Sequence, residues 1–483
     1  LYSYIMKKIA IIGGGAAGLA AAIAAGNELA RLGAAGECEI VLFEADPERV
    51  GRSILATGNG RCNFSNAHID PACYRNAAFV EAALRSLASL SKASGRGSAQ
   101  SAGALEVPCR GSAQLAGAPK APSQASTQSL GAYEIPVREG VHFASAYEAP
   151  VQRFFSSLGL IWREEGEGRM YPAANKASSV LDVLRAALDV SGARVEFGKT
   201  LRAIEAPARG KSRFHLRFSD GSIAHAEKVV LAVGGRGMSA VEMPSAIPCE
   251  PMRPVLGPLA TDSRITRQLN NIRVKCAVSL ERSGSLVARE EGELLFRDYG
   301  VSGVCVFNLS RAAREGDVLS IDFLPQMSDS DRDAWLLARR KHLSTRFGEN
   351  GQIAAEDVLR GAMLPQVAQV LCKCASIDPA RPLSKKDALA LSRVIGGLRL
   401  AVRGIGDAKQ CQVSRGGLLV AAFDPQTMEA PVLPGLFAVG EALDVDAPCG
   451  GYNLHWAWAS GLLAGASAAC GVVVSADGEG EGE

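Results

Sequence analysis

The chain opens on an apolar run, IAII at residues 9–12, that breaks at Gly13, Gly15 and Gly18 and resumes as the helix formers LAAAIAAG. A short apolar stretch bounded by glycine predicts a buried strand, and the Ala- and Leu-rich stretch behind it predicts a helix. A second apolar run, EIVLF at 39–43, predicts a second strand that closes on Glu44. The glycine-containing segment 26–36 leaves room for a long helix and a turn between them. Helical periodicity returns at 77–90 and at 148–158. From 194 to 233 three strand-like runs follow one another, RVEFGKTLRAIEA, RFHLRFSD and AEKVVLAVGG, the last preceded by the turn pair Asp220-Gly221. They predict a three-stranded meander whose final strand ends at Gly234 and Gly235. Between 252 and 403 the pattern changes to β-branched stretches such as VKCAVSLE and DVLSIDFL, mixed with helices such as 331–343. Residues 434–465 read as a strand, LFAVG, then a turn rich in Pro and Gly and an aromatic helix. The opening strand–helix–strand order predicts the α/β class with a parallel sheet.

Composition changes this picture at one place. From 91 to 140 the chain is dominated by Ser, Ala, Gly, Gln and Pro, and RGSAQ occurs twice, at 96–100 and 110–114. Such a stretch has too little apolar side chain to offset its ordering entropy, so a disordered or loosely packed insert is expected. Elsewhere 483 residues, 47% hydrophobic and 21% charged, describe an ordinary globular chain of two or three domains. A net charge of +2 supplies no broad footprint for nucleic acid or an anionic membrane, so neither partner is expected. Apart from the glycine-rich start, no apolar stretch of about 18 residues stands out, and no membrane span is expected. Twelve cysteines without regular spacing read as reduced thiols in a cytoplasmic protein. Cys372 and Cys374, with no histidine nearby, fit buried packing, and no metal is expected.

The glycines carry the first chemistry. A G-x-G-x-x-G between a strand and a helix is a dinucleotide fingerprint: Gly13 permits the tight turn, Gly15 lets a pyrophosphate approach the backbone, and Gly18 lets helix and strand pack closely. With Ala16 and Ala17 between them, these residues place the phosphates on a helix N-terminus, whose free N–H groups and dipole favour anions. Glu44 follows Gly18 by 26 residues and is placed to meet the ribose hydroxyls, as suits the unphosphorylated ribose of FAD or NAD. A secretory signal is the competing reading, from Lys7 and Lys8 before the run and Ala-x-Ala triplets after it. A signal core needs neither the glycine spacing nor the strand and acid that follow. Met6-Lys7-Lys8-Ile9 reads as a natural beginning, with residues 1–5 as an upstream extension.

Two later segments narrow the cofactor. FAD-type Rossmann domains commonly cover one sheet face with a meander that returns to a glycine-ended strand, so Gly234 is expected to approach the dinucleotide, a plain strand-end turn being the alternative. At the C-terminal end a strand closing on Gly440-Glu441 is the arrangement that lays a carboxylate against the ribityl chain. The following helix then points its N-terminus at the flavin ring, where positive potential stabilises the anionic reduced form. No second fingerprint marks a separate nicotinamide-dinucleotide domain, and the expectation is FAD. Trp456 and Trp458 fall on different faces of that last helix, and core packing accounts for both.

GGGAAG at 13–18, Glu44, GRSILATGNGRCNFSN at 51–66, GRMYP at 168–172, ELLFRDYGVSGVCVFNLSR at 293–311, QVSRGG at 412–417 and PGLFAVGEALDVDAPCGGYNLHWAWASG at 434–461 together resemble one family. It is the NAD(P)/FAD-dependent oxidoreductases known as BaiN-like flavoproteins, which include a bacterial bile-acid dienone reductase. The similarity runs from Met6 nearly to the C-terminus. It implies an FAD-binding Rossmann-type parallel sheet with β-meander, interrupted by a smaller mixed α+β substrate domain. The corresponding division is 6–90, 141–251 and 404–483 for the FAD-binding parts, 91–140 for the insert and 252–403 for the substrate domain. The resemblance also places Arg52 and the 440–453 loop, with Gly451, Tyr452 and Asn453, around FAD. It puts the TGNGRCN loop near the isoalloxazine, with Asn59, Gly60 and Arg61 as donors to flavin or pyrophosphate. The segment after Gly235 departs from the family pattern, being shorter and different in composition.

The implied activity is hydride transfer from NAD(P)H through FAD to an activated C=C bond of a small molecule, an enone or dienone such as a steroid or bile-acid-like compound. Such a reaction needs a donor on the carbonyl oxygen and a proton source. Tyr299, Tyr452 and His455 are candidates, each with a structural role as the alternative, and no catalytic acid is assigned. Cys62 has its next cysteine eleven residues on, at Cys73, so a disulfide-reductase dithiol is not expected. Two alternatives stay open: an FAD-dependent dehydrogenase or oxidase with quinone or oxygen as acceptor, and a flavin-dependent RNA-modifying or redox-sensing protein. The oligomeric state is not readable.

Overall fold

The computed structural model describes residues 6–95, 149–208, 211–348 and 352–477. Five strands, β1 (Lys7–Ile12), β2 (Cys38–Phe43), β3 (Arg194–Glu196), β4 (Lys228–Leu231) and β5 (Leu436–Ala438), form one sheet in the order β5-β4-β1-β2-β3. Every neighbouring pair is parallel. Parallel strands are covered on both faces, which is why Ile9–Ile12 and Val41–Phe43 are continuous apolar runs that solvent does not reach. The fingerprint helix α1 (Ala16–Arg31) returns the chain from β1 to β2.

The C-terminal helix α2 (Tyr452–Asp477) packs along α1. A Cβ on Gly461 would fall inside the carbonyl oxygen of Ala17, and one on Gly465 inside that of Ala21, so these glycines let the two backbones touch. This helix corrects one expectation. Its segment Tyr452–Val473 is long and apolar enough, with mean hydropathy 1.4, to meet the criterion for a membrane span that the sequence reading found only at the glycine-rich start. Most of it is buried inside the protein, so its apolarity is accounted for by packing on α1.

The meander exists with different boundaries. Its strands are Leu201–Glu205, Phe214–Phe218 and Ile223–Ala226, antiparallel in that order. The ends of the apolar runs belong elsewhere: Arg194–Glu196 is β3 and Lys228–Leu231 is β4. Burial separates the two kinds of strand. FHLRF alternates buried and exposed, as a half-buried strand must, whereas Val229, Val230 and Leu231 are all fully buried. The meander meets the sheet through Phe218, whose ring centroid lies 4.8 Å from that of Phe43. β4 stops at Leu231, and Gly234, expected at the strand end, instead opens the short helix Gly234–Met238.

A second body lies between the two arms of the first. Strands Leu259–Thr261, Gly300–Ser302, Ser285–Arg297, Arg273–Arg282, Val318–Asp322 and Leu398–Ile405 pair in that order and close into a barrel. Helices Asp329–Phe347, Pro365–Cys374 and Lys385–Gly396 cover it. The first of these is longer than the predicted 331–343 because Ser328 caps it, its hydroxyl accepting the Asp331 amide at 3.2 Å. The barrel core, around Val278, Leu294, Phe296 and Ile321, is separate from the core of the parallel sheet. A small third cluster, Val255, Leu256 and Val413 with Phe307 and Cys449, lies where the bodies meet. The antiparallel pair Cys249–Val255 and Val413–Leu418 links them. The low-complexity insert expected at 91–140 lies outside the described residues from 96 on.

Candidate functional site

The fingerprint forms a cradle at the amino end of α1. A Cβ on Gly18 would overlap the Gly13 carbonyl oxygen, and one on Gly13, at φ +106°, would sit 2.5 Å from the Ala232 oxygen, so only glycine closes this turn. Gly15 caps α1 without any side-chain hydrogen bond, and the first turn holds no acidic residue. No anionic side chain of that turn therefore competes for the helix's positive end. Ala16 is half-buried. Ala17 is buried against the opposite wall, where a Cβ on Gly440 would lie 3.2 Å from its own.

Glu44 stands at the end of β2 and accepts the Gly14 amide at 2.6 Å and the Asp46 amide at 2.8 Å. The carboxylate is thus held by one amide on each oxygen, with lone pairs remaining for hydroxyl donors. Asp46, which sequence reasoning passed over, pairs with Arg52 at 3.2 Å, and Arg52 otherwise reaches into solvent. Its only signal was its place two residues after Glu44.

Glu441 forms the far side. It accepts the Ser414 amide at 3.2 Å, and a Cβ on Gly235 would approach its carboxylate to 2.9 Å. Burial pushes the carboxyl up to about 7, against the amides of Ser414 and Gly235 that favour the ionised form. A carboxyl group desolvated in this way is suited to hydrogen bonding with sugar-type hydroxyls. Gly234 itself has open space around it at φ +68°.

The two long signatures are bonded to one another. Ser65 Oγ lies 2.9 Å from Nδ1 of His455, and both residues are fully buried. Asn66 Nδ2 donates to the Gly450 carbonyl at 2.9 Å, and Trp458 Nε1 donates to that of Phe64 at 3.0 Å. Gly451 lies against the Ser65 carbonyl, where any side chain would collide. Trp456 Nε1 reaches the Gly440 oxygen at 3.2 Å, so both tryptophans are core residues, Trp456 tying down the 440–453 loop and Trp458 the 51–66 segment. Asn453 is engaged within that loop: it accepts the Ala447 amide at 2.9 Å and donates to the Ala447 carbonyl at 2.9 Å. Tyr452 donates to the His68 carbonyl at 3.1 Å.

In the TGNGRCN loop, Gly58, Asn59 and Gly60 are left-handed in succession, and Asn59 is exposed. Arg61 turns away to bond Asn175 and Glu165, with its guanidinium 3.9 Å over the Tyr171 ring. Cys62 is fully buried and its thiol is pushed up to about 12 by burial, which suits packing rather than nucleophilic chemistry. Tyr299 lies in the barrel, its ring beside Gly406, away from the Ser65–His455 pair in sequence and in body. Burial raises its hydroxyl as well.

Sequence reasoning also missed a charged joint beside this loop. Asp446 is fully buried and accepts from Arg311 Nε at 2.7 Å and from Arg415 Nε and Nη2 at 2.7 Å each. Burial would raise its carboxyl, but the two guanidiniums override that and hold it below the usual range. Asp444 accepts Arg75 Nε at 2.7 Å and the Gly416 amide at 3.0 Å. These aspartates were visible in DVDAP, but nothing local tells which distant arginines they meet.

A glycine turn over an unblocked helix end, an acid at the end of β2 and a buried carboxyl at Glu441 fit FAD in shape and donor chemistry. The fold and this site define an FAD-dependent oxidoreductase with a Rossmann-type α/β body. Residues 141–467 match the model of the HI0933-like protein Rossmann domain, and the chain belongs to this family. It is 28% identical to the 3-dehydro-bile acid delta(4,6)-reductase of Clostridium scindens, over 96% of this chain and 99% of that protein. It is 24% identical to the ribosomal RNA dihydrouridine synthase of Escherichia coli, over 93% of this chain and 95% of that protein. Among solved structures, a 3-ketosteroid-delta4-(5alpha)-dehydrogenase from Rhodococcus jostii is similar at a TM-score of 0.40 and 13% identity, over 96% of this chain and 97% of that one.

Proposed function

We propose that this protein reduces a carbon–carbon double bond conjugated to a carbonyl group, with NAD(P)H as the electron donor and a small molecule as substrate. The observation that carries the reading is the similarity, along nearly the whole of both chains, to a delta(4,6)-reductase. When bound, FAD supplies reversible two-electron hydride chemistry. The chain's own contribution is placement. Gly13, Gly15 and Gly18, with Ala16 and Ala17, present the α1 amides to the pyrophosphate. Glu44 takes the ribose hydroxyls, and Glu441 faces the ribityl chain. Asn59 and Gly60 would approach from the 51–61 segment, Gly234 from the short helix, and Gly440, Gly451, Tyr452 and Asn453 from the loop before α2, while Arg52 and Arg61 would have to leave Asp46 and the Asn175–Glu165 pair to reach the cofactor. The overall balance is NAD(P)H, one proton and the alkene giving NAD(P)+ and the saturated product. The near-neutral charge supports a small-molecule substrate, and the cysteine usage supports a reducing cytoplasm.

Anaerobic mixing of the FAD-loaded protein with NADH or NADPH is the test, followed by a steroid-type enone. Flavin bleaching by a nicotinamide and reoxidation by the enone are expected. Bleaching only by an organic donor would overturn the direction and favour a dehydrogenase. A second reading has its own support in the ribosomal RNA dihydrouridine synthases among the relatives. Reoxidation by uridine-containing RNA and not by the enone would select it.

A further inference from the structure

Arg253 lies on the strand Cys249–Val255, directly across from Arg415 on Val413–Leu418. Like charges facing one another across an antiparallel pair repel. Arg415 is occupied, since it and Arg311 share the single carboxylate of Asp446. Arg75 is occupied by Asp444 at 2.7 Å and lies 4.0 Å from Glu250. Arg253 is exposed, and among the described residues its side chain has no hydrogen bond or ion pair. Arg314, exposed nearby on the barrel side, has none through its side chain either. Five arginines thus gather around three acids at the joint between the two bodies: Asp444 and Asp446, on the loop that carries Glu441, and Glu250 on the strand of Arg253 itself. Partial burial and the guanidiniums of Arg415 and Arg75 press the Arg253 pKa below the ordinary arginine range, so its surroundings already hold an excess of positive charge.

We infer that Arg253, backed by Arg415 and Arg75, is a binding site for an oxyanion, a carboxylate or phosphate carried by one of the two molecules that react at the neighbouring cradle. Interfaces between bodies are among the places where small ligands bind preferentially, and a guanidinium matches either oxyanion with two parallel hydrogen bonds. The inference deepens the proposed reductase reading and rests on it for the identity of the ligand. The carboxylate would belong to the substrate, and the phosphate to the nicotinamide donor.

The test titrates the FAD-loaded protein with inorganic pyrophosphate and, separately, with octanoate, following bound heat at low and high salt. R253Q, R253K and the distant control R264Q are compared with the parent. R253Q is expected to weaken one of the two oxyanions by about tenfold to a hundredfold, as loss of a charge-assisted hydrogen bond implies, with R253K intermediate and R264Q unchanged. Weakening of pyrophosphate, together with a higher NADPH concentration for half-maximal flavin reduction, assigns the site to the donor. Weakening of octanoate, together with loss of preference for an enone acid over its methyl ester, assigns it to the substrate. Binding of neither oxyanion to the parent, or equal binding by R253Q, overturns the inference. The titrations need no turnover, so they report on the anion site even if NAD(P)H fails to reduce the flavin.

Discussion

The parallel-sheet body and the barrel solve the same packing problem with different sequences. In the body, the strands are short apolar runs and the backbone comes close enough to touch, through Gly18 at the turn and Gly461 between the helices. The barrel, with its core around Phe296 and Ile321, has its closest backbone approaches where its own elements join: a Cβ on Gly300 would fall inside the Leu259 carbonyl oxygen and one on Gly303 inside that of Glu293. The difference teaches where each body places its glycines: the sheet body sets them where a dinucleotide meets the helix end, whereas the barrel sets them where its own strands and helix join.

Substitutions at the two cores would sharpen this contrast most. Gly18→Leu drives a side chain into the Gly13 carbonyl and is expected to abolish FAD retention, read as lost flavin absorbance. Phe296→Ala empties fully buried space in the barrel, at a cost of roughly 3–5 kcal/mol of unfolding free energy, yet should leave FAD bound. Loss of flavin from the barrel variant would break the comparison. Asp446→Ala tests the joint. It strands Arg311 and Arg415 without their shared carboxylate and is expected to cost about 3–5 kcal/mol in denaturant unfolding, with the two bodies melting separately. A single unshifted transition would show that the joint does not couple them.

Glu441 gives the smallest of these effects, with a pH signature of its own. Its carboxyl titrates near 7 in the fold against 4.5 when unfolded, so the folded state holds the extra proton between these values. Its contribution is therefore fully present below about pH 4.5 and is lost as the pH rises through 7. Relative to Glu441→Gln, the parent protein without FAD should lose roughly 3 kcal/mol across that window. Denaturant unfolding at pH 5 and pH 8 measures it, and parallel curves for the two proteins would remove the desolvated carboxyl from the site.

Much of the body was legible in advance because its constraints are local. The fingerprint, the acid closing β2 and the Gly440-Glu441 step each sit on one continuous segment, and a glycine spacing or an apolar run reports directly on the backbone there. The meander was half legible: the runs were found, but which of their residues joined the central sheet depends on burial on one face or both, as Val229–Leu231 and FHLRF show. The barrel was not foreseen, since pairing Leu259–Thr261 with Leu398–Ile405 joins strands nearly the length of the body apart.

By itself the sequence determined the α/β class and the glycine turn, because a missing Cβ and a continuous apolar run act on the few residues beside them. Only the tertiary structure decided that Ser65 would meet His455, that Arg311 and Arg415 would share Asp446, and that Arg253 would be left facing a like charge. Those contacts are made between segments 31 to 390 residues apart, and their energies come from desolvation and charge that exist only once the chain has closed around them.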